Sequence, residues 1–209
     1  MGYRVLSSLF FLAALIGCST DAETEKEKPV IEYATPEPKP PATVDLTTYK
    51  TRTGKSFIMT VKPISGSLNR ITVQGMGFPE GEEIFSIRDA DPFESAQIAD
   101  IDKDGFDELY VITRAMGSGS YATLRGYASY RDKSYGEIVI PAFEGLNYGG
   151  FRGHYTVRFT SDGIAHMFPV YNEGDVNSQP TGGTRVVLYK LEKGEAALML
   201  TVRSVTNPQ

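Results

Sequence analysis

A single cysteine, Cys18, stands in a chain of 209 residues. No disulfide can form within the chain, so burial of a core has to stabilise whatever folds. Histidine is nearly as scarce. His154 and His166 are the two present, far apart, and neither has a partner at metal-ligand spacing. Charge of one sign is also missing in quantity: the formal net charge is −5, and neither sign dominates a long stretch. A nucleic-acid partner needs a basic face, and this composition supplies none. Helical periodicity is almost absent. No segment holds three or more convincing helical turns, and only a short helix near 141–148 is a candidate. The apolar run "VLSSLFFLAALIG" is too short to span a bilayer as a stable helix.

That run instead has the build of a secretory signal. Arg4 precedes it, and small residues lead into Cys18. "LIGC", Leu15 to Cys18, resembles the bacterial lipobox. The resemblance implies cleavage after residue 17 and acylation of Cys18; a plain signal peptide with an incidental cysteine is the other reading. Acylation would hold the protein on a membrane face without spanning it. Ser19, rather than Asp, follows Cys18, which fits outer-membrane sorting on the periplasmic side of a Gram-negative bacterium. Residues 18–43 are rich in Pro, Glu, Lys and Thr, with prolines at 29, 36, 38, 40 and 41. Such a segment buries too little to fold and favours extended polyproline II, so it reads as a tether.

From Val44 the texture changes to short alternating runs separated by Gly, Asn, Asp and Pro. The runs at 56–62, 68–74, 83–89, 96–100, 108–114, 121–130, 136–141, 155–160, 164–171, 184–192 and 197–205 are rich in β-branched and aromatic residues. This is the pattern of a single all-β domain over 44–209, an antiparallel sandwich or barrel-like fold. "TSDG" at 160–163 reads as a tight turn between two hairpin strands.

Several motifs fail on spacing. "RTGKS" at 52–56 ends like a phosphate loop, but position 49, where the motif needs glycine, is tyrosine. "GMGFPEG" at 75–81 lacks dinucleotide spacing, and "MGSGS" does not form a nucleophile elbow. No carboxylate pair stands out for glycoside hydrolysis, so the protein is expected not to be an enzyme. "DIDKDGFDE" is stronger. Asp100, Asp102 and Asp104 alternate, and Gly105 permits a sharp turn. Alternate oxygens converging on one hard cation open a calcium loop in this way. The twelfth position, which an EF-hand fills with Glu, is Val111; Glu108 at the ninth could close a shorter loop. The competing reading is an Asp/Gly turn whose side chains cap backbone amides. No cofactor is required by anything else in the sequence.

The stretch "RAMGSGSYATL" holds Ser118, Gly119, Ser120 and Tyr121. Gly117 and Gly119 are expected to take positive φ and form a narrow tip. The hydroxyls and amides offer donors without charge, and Tyr121 adds a rigid amphipathic ring. Taken alone, this reads as a flexible β-hairpin loop.

In context, "ADIDKDGFDELYVITRAMGSGSYATLRGYASY", "GH" at 153–154, "MFPVY" and "YNEGDVNSQPTGGTRVVLYKLEKGE" together resemble the bacterial periplasmic inhibitors of invertebrate-type (i-type) lysozyme. The similarity runs over about residues 55–205. It implies a β-sandwich-like fold, with a Ser-Gly-x-Tyr loop entering the active-site cleft of a lysozyme. It carries the contact role to Ser118 and Tyr121, with Gly119 and Ser120 completing the loop. Arg185, in "PTGGTR", is a second candidate contact because its guanidinium could pair with an enzyme carboxylate; a hairpin turn beside a core strand is the other reading of that loop. The expected partners are a lysozyme and, through Cys18, a membrane. The sequence leaves the oligomeric state open, a homodimer included. The alternative function is a calcium-stabilised lipoprotein that binds glycan or peptidoglycan without inhibiting an enzyme.

Overall fold

The computed structural model describes residues 45–207. The signal peptide, Cys18 and the tether lie outside that range. Twelve strands make three four-stranded sheets, each a simple antiparallel meander. The first contains β1 (Asp45–Lys50), β2 (Ser56–Pro63), β3 (Asn69–Met76) and β4 (Ile84–Ala90). The second contains β5 (Phe93–Ala99), β6 (Glu108–Arg114), β7 (Ala122–Tyr130) and β8 (Ser134–Glu137). The third contains β9 (Thr156–Thr160), β10 (Gly163–Pro169), β11 (Thr184–Lys193) and β12 (Leu198–Thr206). The all-β, sandwich-like expectation holds, with one layer more than a simple sandwich needs.

The second sheet lies between two cores. Successive residues of a strand face opposite sides of its sheet. Along β6, Leu109 and Val111 join Phe57, Met59, Ile71 and Val73 of the first sheet. Tyr110 and Ile112 join Ile164, Phe168, Val187 and Tyr189 of the third. β7 divides the same way, Tyr127 into one core and Leu124 with Ala128 into the other. The first six residues of β6 are all buried. A strand covered on both faces should read as a continuous apolar run, and "ELYVIT" does so apart from its first and last residues.

A crossing segment stitches the second and third sheets. Ile138 N donates to Gly126 O at 2.8 Å; Val139 N then donates to Leu198 O, and Leu200 N to Val139 O. This makes Val139–Met199 a parallel bridge in an otherwise antiparallel fold. The run 136–141 therefore ends as a strand earlier than its apolar residues suggest, because the chain changes sheets at Ile138. The turn before it has no glycine. Arg131 and Asp132 both take positive φ, held by Asp132 N donating to Ser129 Oγ. β1 carried no apolar signal, being an exposed edge strand, and the candidate helix is one 3-10 turn at Leu146–Tyr148. "TSDG" is the expected two-residue hairpin, with Thr160 opposite Gly163.

His166 on β10 is fully buried among aromatic rings, edge-on to Phe143 at 4.3 Å. Its Nδ1 lies 3.2 Å from the Tyr148 hydroxyl, which meets the Tyr189 hydroxyl at 2.6 Å. Burial drives its pKa down from 6.5 to about 3. Between those values the unfolded chain binds a proton that the folded chain refuses, so stability rises with pH. The contribution is complete above about pH 6.5 and is lost as pH falls toward 3. His166→Gln is therefore expected to flatten the loss of unfolding free energy between pH 7 and pH 4. The change expected by denaturant titration at the two pH values is up to about 3 kcal/mol.

Candidate functional site

The β6–β7 connection, Ala115–Tyr121, is a hairpin loop whose carbonyls are all engaged from Gly117 onward. Gly117 O accepts from Ser120 N at 2.9 Å, and Tyr121 O accepts from Ala115 N at 2.7 Å. Ser118 O accepts from Asn177 Nδ2 at 2.9 Å, and Gly119 O from His154 N at 2.7 Å. Ser120 O accepts from Arg114 Nη1 at 2.9 Å. Five successive oxygens are thus tied to donors from the loop, β6 and two remote segments. Loop carbonyls usually face water, and tying them down removes the freedom that would otherwise be lost on binding.

Arg114, at the end of β6, is the central clamp. Its Nη1 also donates to Tyr155 O at 3.1 Å, while Nε and Nη2 make a two-point bond to Glu94 at 2.8 and 3.0 Å. The guanidinium's planar fork suits this combination, which lysine could not reproduce. Asn177 comes from the long β10–β11 connection. There, Asp175 accepts from Asn172 N, Thr181 N and the Thr181 hydroxyl. The two backbone amides, Thr181 first, hold the Asp175 carboxyl below its usual range.

The expected positive φ at the tip glycines needs correction. Neither Gly117 nor Gly119 takes positive φ; Ser120 does, at 44°. Gly119 gives space to the Tyr121 ring instead. A Cβ there would lie 2.3 Å from Tyr121 Cε2, because the tyrosine ring folds over it. Tyr121 is 48% exposed and meets Phe151 edge-on at 5.7 Å; Phe151 in turn packs on Phe168 and Tyr155 of the core. Ser118 is exposed, and Ser120 is half-buried. Among the described residues neither serine hydroxyl is spent on an internal hydrogen bond. The backbone is fixed, and two hydroxyls and one face of a ring point to no internal use.

Arg185 is placed differently. Its Nε donates to Asn207 Oδ1 at 2.8 Å and its Nη1 to Gly149 O at 2.9 Å, so the guanidinium braces neighbouring chain. Sequence reasoning missed Arg114, His154, Asn177 and Gly153 as supports. The "GH" at 153–154 was the available signal. Gly153 sits at φ 89°, and a Cβ on it would come within 2.0 Å of Gly119 O.

The acidic turn lies at the other end of β6. Oxygens of Asp100, Asp102, Asp104 and Glu108 fall within 4.8 Å of one another, so the structure brings all four predicted residues together. Gly105 makes the turn at φ 92°. Arg52, from the β1–β2 turn, donates from Nη1 to Asp100 Oδ2 at 3.0 Å and from Nε to Asp107 Oδ1 at 2.9 Å. Glu108 is 1% exposed. Burial first, and then the neighbouring aspartates, push its carboxyl up to about 8, against one bond from Ile101 N. Asp102 is also raised, by burial and by Asp104. Asp107, outside the four, accepts the Arg52 backbone N–H as well.

The supporting shell makes a direct prediction. Gly153→Ala adds a clash and forces a side chain into left-handed backbone. It is expected to cost about 1–3 kcal/mol, read as a lower melting temperature, with amide chemical shifts changing around Gly119. No family model matches the chain, and no match was found among curated proteins or solved structures.

Proposed function

We propose that this protein is a lysozyme inhibitor, directed at the i-type enzyme, and not itself an enzyme. In this reading the Ser118-Gly119-Ser120-Tyr121 loop enters the enzyme's active-site cleft. Acylated Cys18 anchors the protein at the periplasmic face of the outer membrane, where the tether carries the domain toward its target and peptidoglycan is protected. The observation that carries the reading is the series of five tied carbonyls behind free serine hydroxyls and an exposed tyrosine ring. The resemblance of the surrounding segments to known inhibitors supports it.

The chemistry is consistent with such a target. A glycosidase cleft carries two carboxyl groups flanking the scissile bond. Serine and tyrosine hydroxyls can donate to carboxylates without a buried cation's desolvation cost. Tyr121 offers a flat face like that of a sugar-binding aromatic, at low rotamer entropy. A tip ordered before contact keeps more of its interaction energy as affinity.

The test is inhibition of i-, c- and g-type lysozymes by the purified protein. Stoichiometric inhibition is expected, strongest for the i-type enzyme. Ser118→Ala with Tyr121→Ala should weaken it about 30-fold or more, as expected for loss of an aromatic anchor, while circular dichroism stays native. Asn177→Ala should weaken it less, by loosening the tip. Full inhibition by the double variant would sink the loop mechanism. Retention on peptidoglycan with no effect on any lysozyme would favour the glycan-binding alternative.

A further inference from the structure

We propose that the β5–β6 turn is a calcium site, formed by Asp100, Asp102, Asp104 and Glu108, that secures the β1–β2 hairpin to the middle sheet. The inference goes beyond lysozyme inhibition and does not rest on it.

Three observations converge. The first is geometric. Two oxygens bound to one Ca²⁺ at 2.3–2.6 Å lie at most about 5 Å apart. The four carboxyl groups each supply an oxygen within a 4.8 Å limit. The second is an orphan. The Asp100 side chain is 7% exposed, and its Oδ1 is buried with no hydrogen-bond partner. A buried carboxylate oxygen without a partner is costly, and a cation would satisfy it. The third is the direction of the amide bonds. Asp104 N donates to Asp102 Oδ1, Phe106 N to Asp104 Oδ1, Gly105 N to Asp100 Oδ2 and Ile101 N to Glu108 Oε2. Each carboxyl group has one oxygen steered by the backbone and a second left over. A plain capped turn uses the steered oxygens; it gives no reason to bury Asp100 Oδ1 without a partner.

Charge and ligand type select the ion. The donors are all oxygens, which disfavours zinc, and the turn is irregular, which suits calcium better than strictly octahedral magnesium. Arg52 is not a ligand. It holds Asp100 and Asp107 from the β1–β2 turn, so fixing Asp100 also fixes the seat of that hairpin.

The experiment uses the full chain stripped with chelator, titrated with CaCl₂ by calorimetry and thermal melting. One ion per chain is expected. At a hundredfold excess over the dissociation constant, the melting temperature should rise by roughly 5–10 °C and fall back with EDTA. Asp102→Asn with Asp104→Asn, both at the outer part of the turn, should fold normally by circular dichroism and lose the shift. Glu108→Gln should reduce it. The absence of binding heat and of any shift at 5 mM Ca²⁺ would overturn the site. So would a shift retained in the double variant. An equal response to Mg²⁺ would also overturn it, since that marks general screening of a like-charge cluster.

Discussion

β6 has no solvent face, and the fold is arranged around that fact. Leu109 and Val111 seal one core; Tyr110 and Ile112 seal the other. A strand in this position cannot slip by one residue, because a slip would exchange its two sets of side chains between cores built for different shapes. Its ends are therefore fixed in space. One end opens from the acidic turn at Glu108, and the other closes on the Arg114 clamp. Each feature starts from a terminus of the best-buried strand among the described residues.

The loop beyond Arg114 owes its order to distant partners. Asn177 and His154 reach it from chain segments dozens of residues away, and Glu94 aims the arginine from β5. Each bond is modest alone. With the loop's own bonds from Ser120 N and Ala115 N, they leave each carbonyl from Gly117 to Tyr121 with a donor. The same segments carry a separate aromatic path from Tyr121 through Phe151 to Phe168. Backbone bonds and ring packing thus constrain the tip by independent routes.

The fold class and most strands were legible because alternation is a local signal. β6 matches its predicted limits, and most other strands fall within a residue or two. The failures have physical causes. β1 is an edge strand with little to bury. The change of sheet at Ile138 depends on Gly126 and Leu198, which no local pattern announces. The acidic turn could be assembled from spacing because its residues are neighbours in sequence. The supports of the tip could not, since Arg114 looked like an ordinary strand end and Asn177 like one more polar loop residue. Gly119 was legible as a shape requirement, but its role differs: it makes room for the Tyr121 ring and does not supply a dihedral angle.

The engaged carbonyls separate the shape of the tip from its lettering. Hydrogen bonds to backbone oxygens are indifferent to which side chain the same residue carries. Ser118 is exposed on that backbone, so a substitution there changes what the tip presents while its course stays anchored. The constraint falls on Arg114 and Gly153, which hold or clear the path. Natural variation in this loop should accordingly sort into two kinds, fixed positions behind and variable ones in front. A partner whose surface drifts could be followed by exchanging one or two front residues, without the fold having to be solved again.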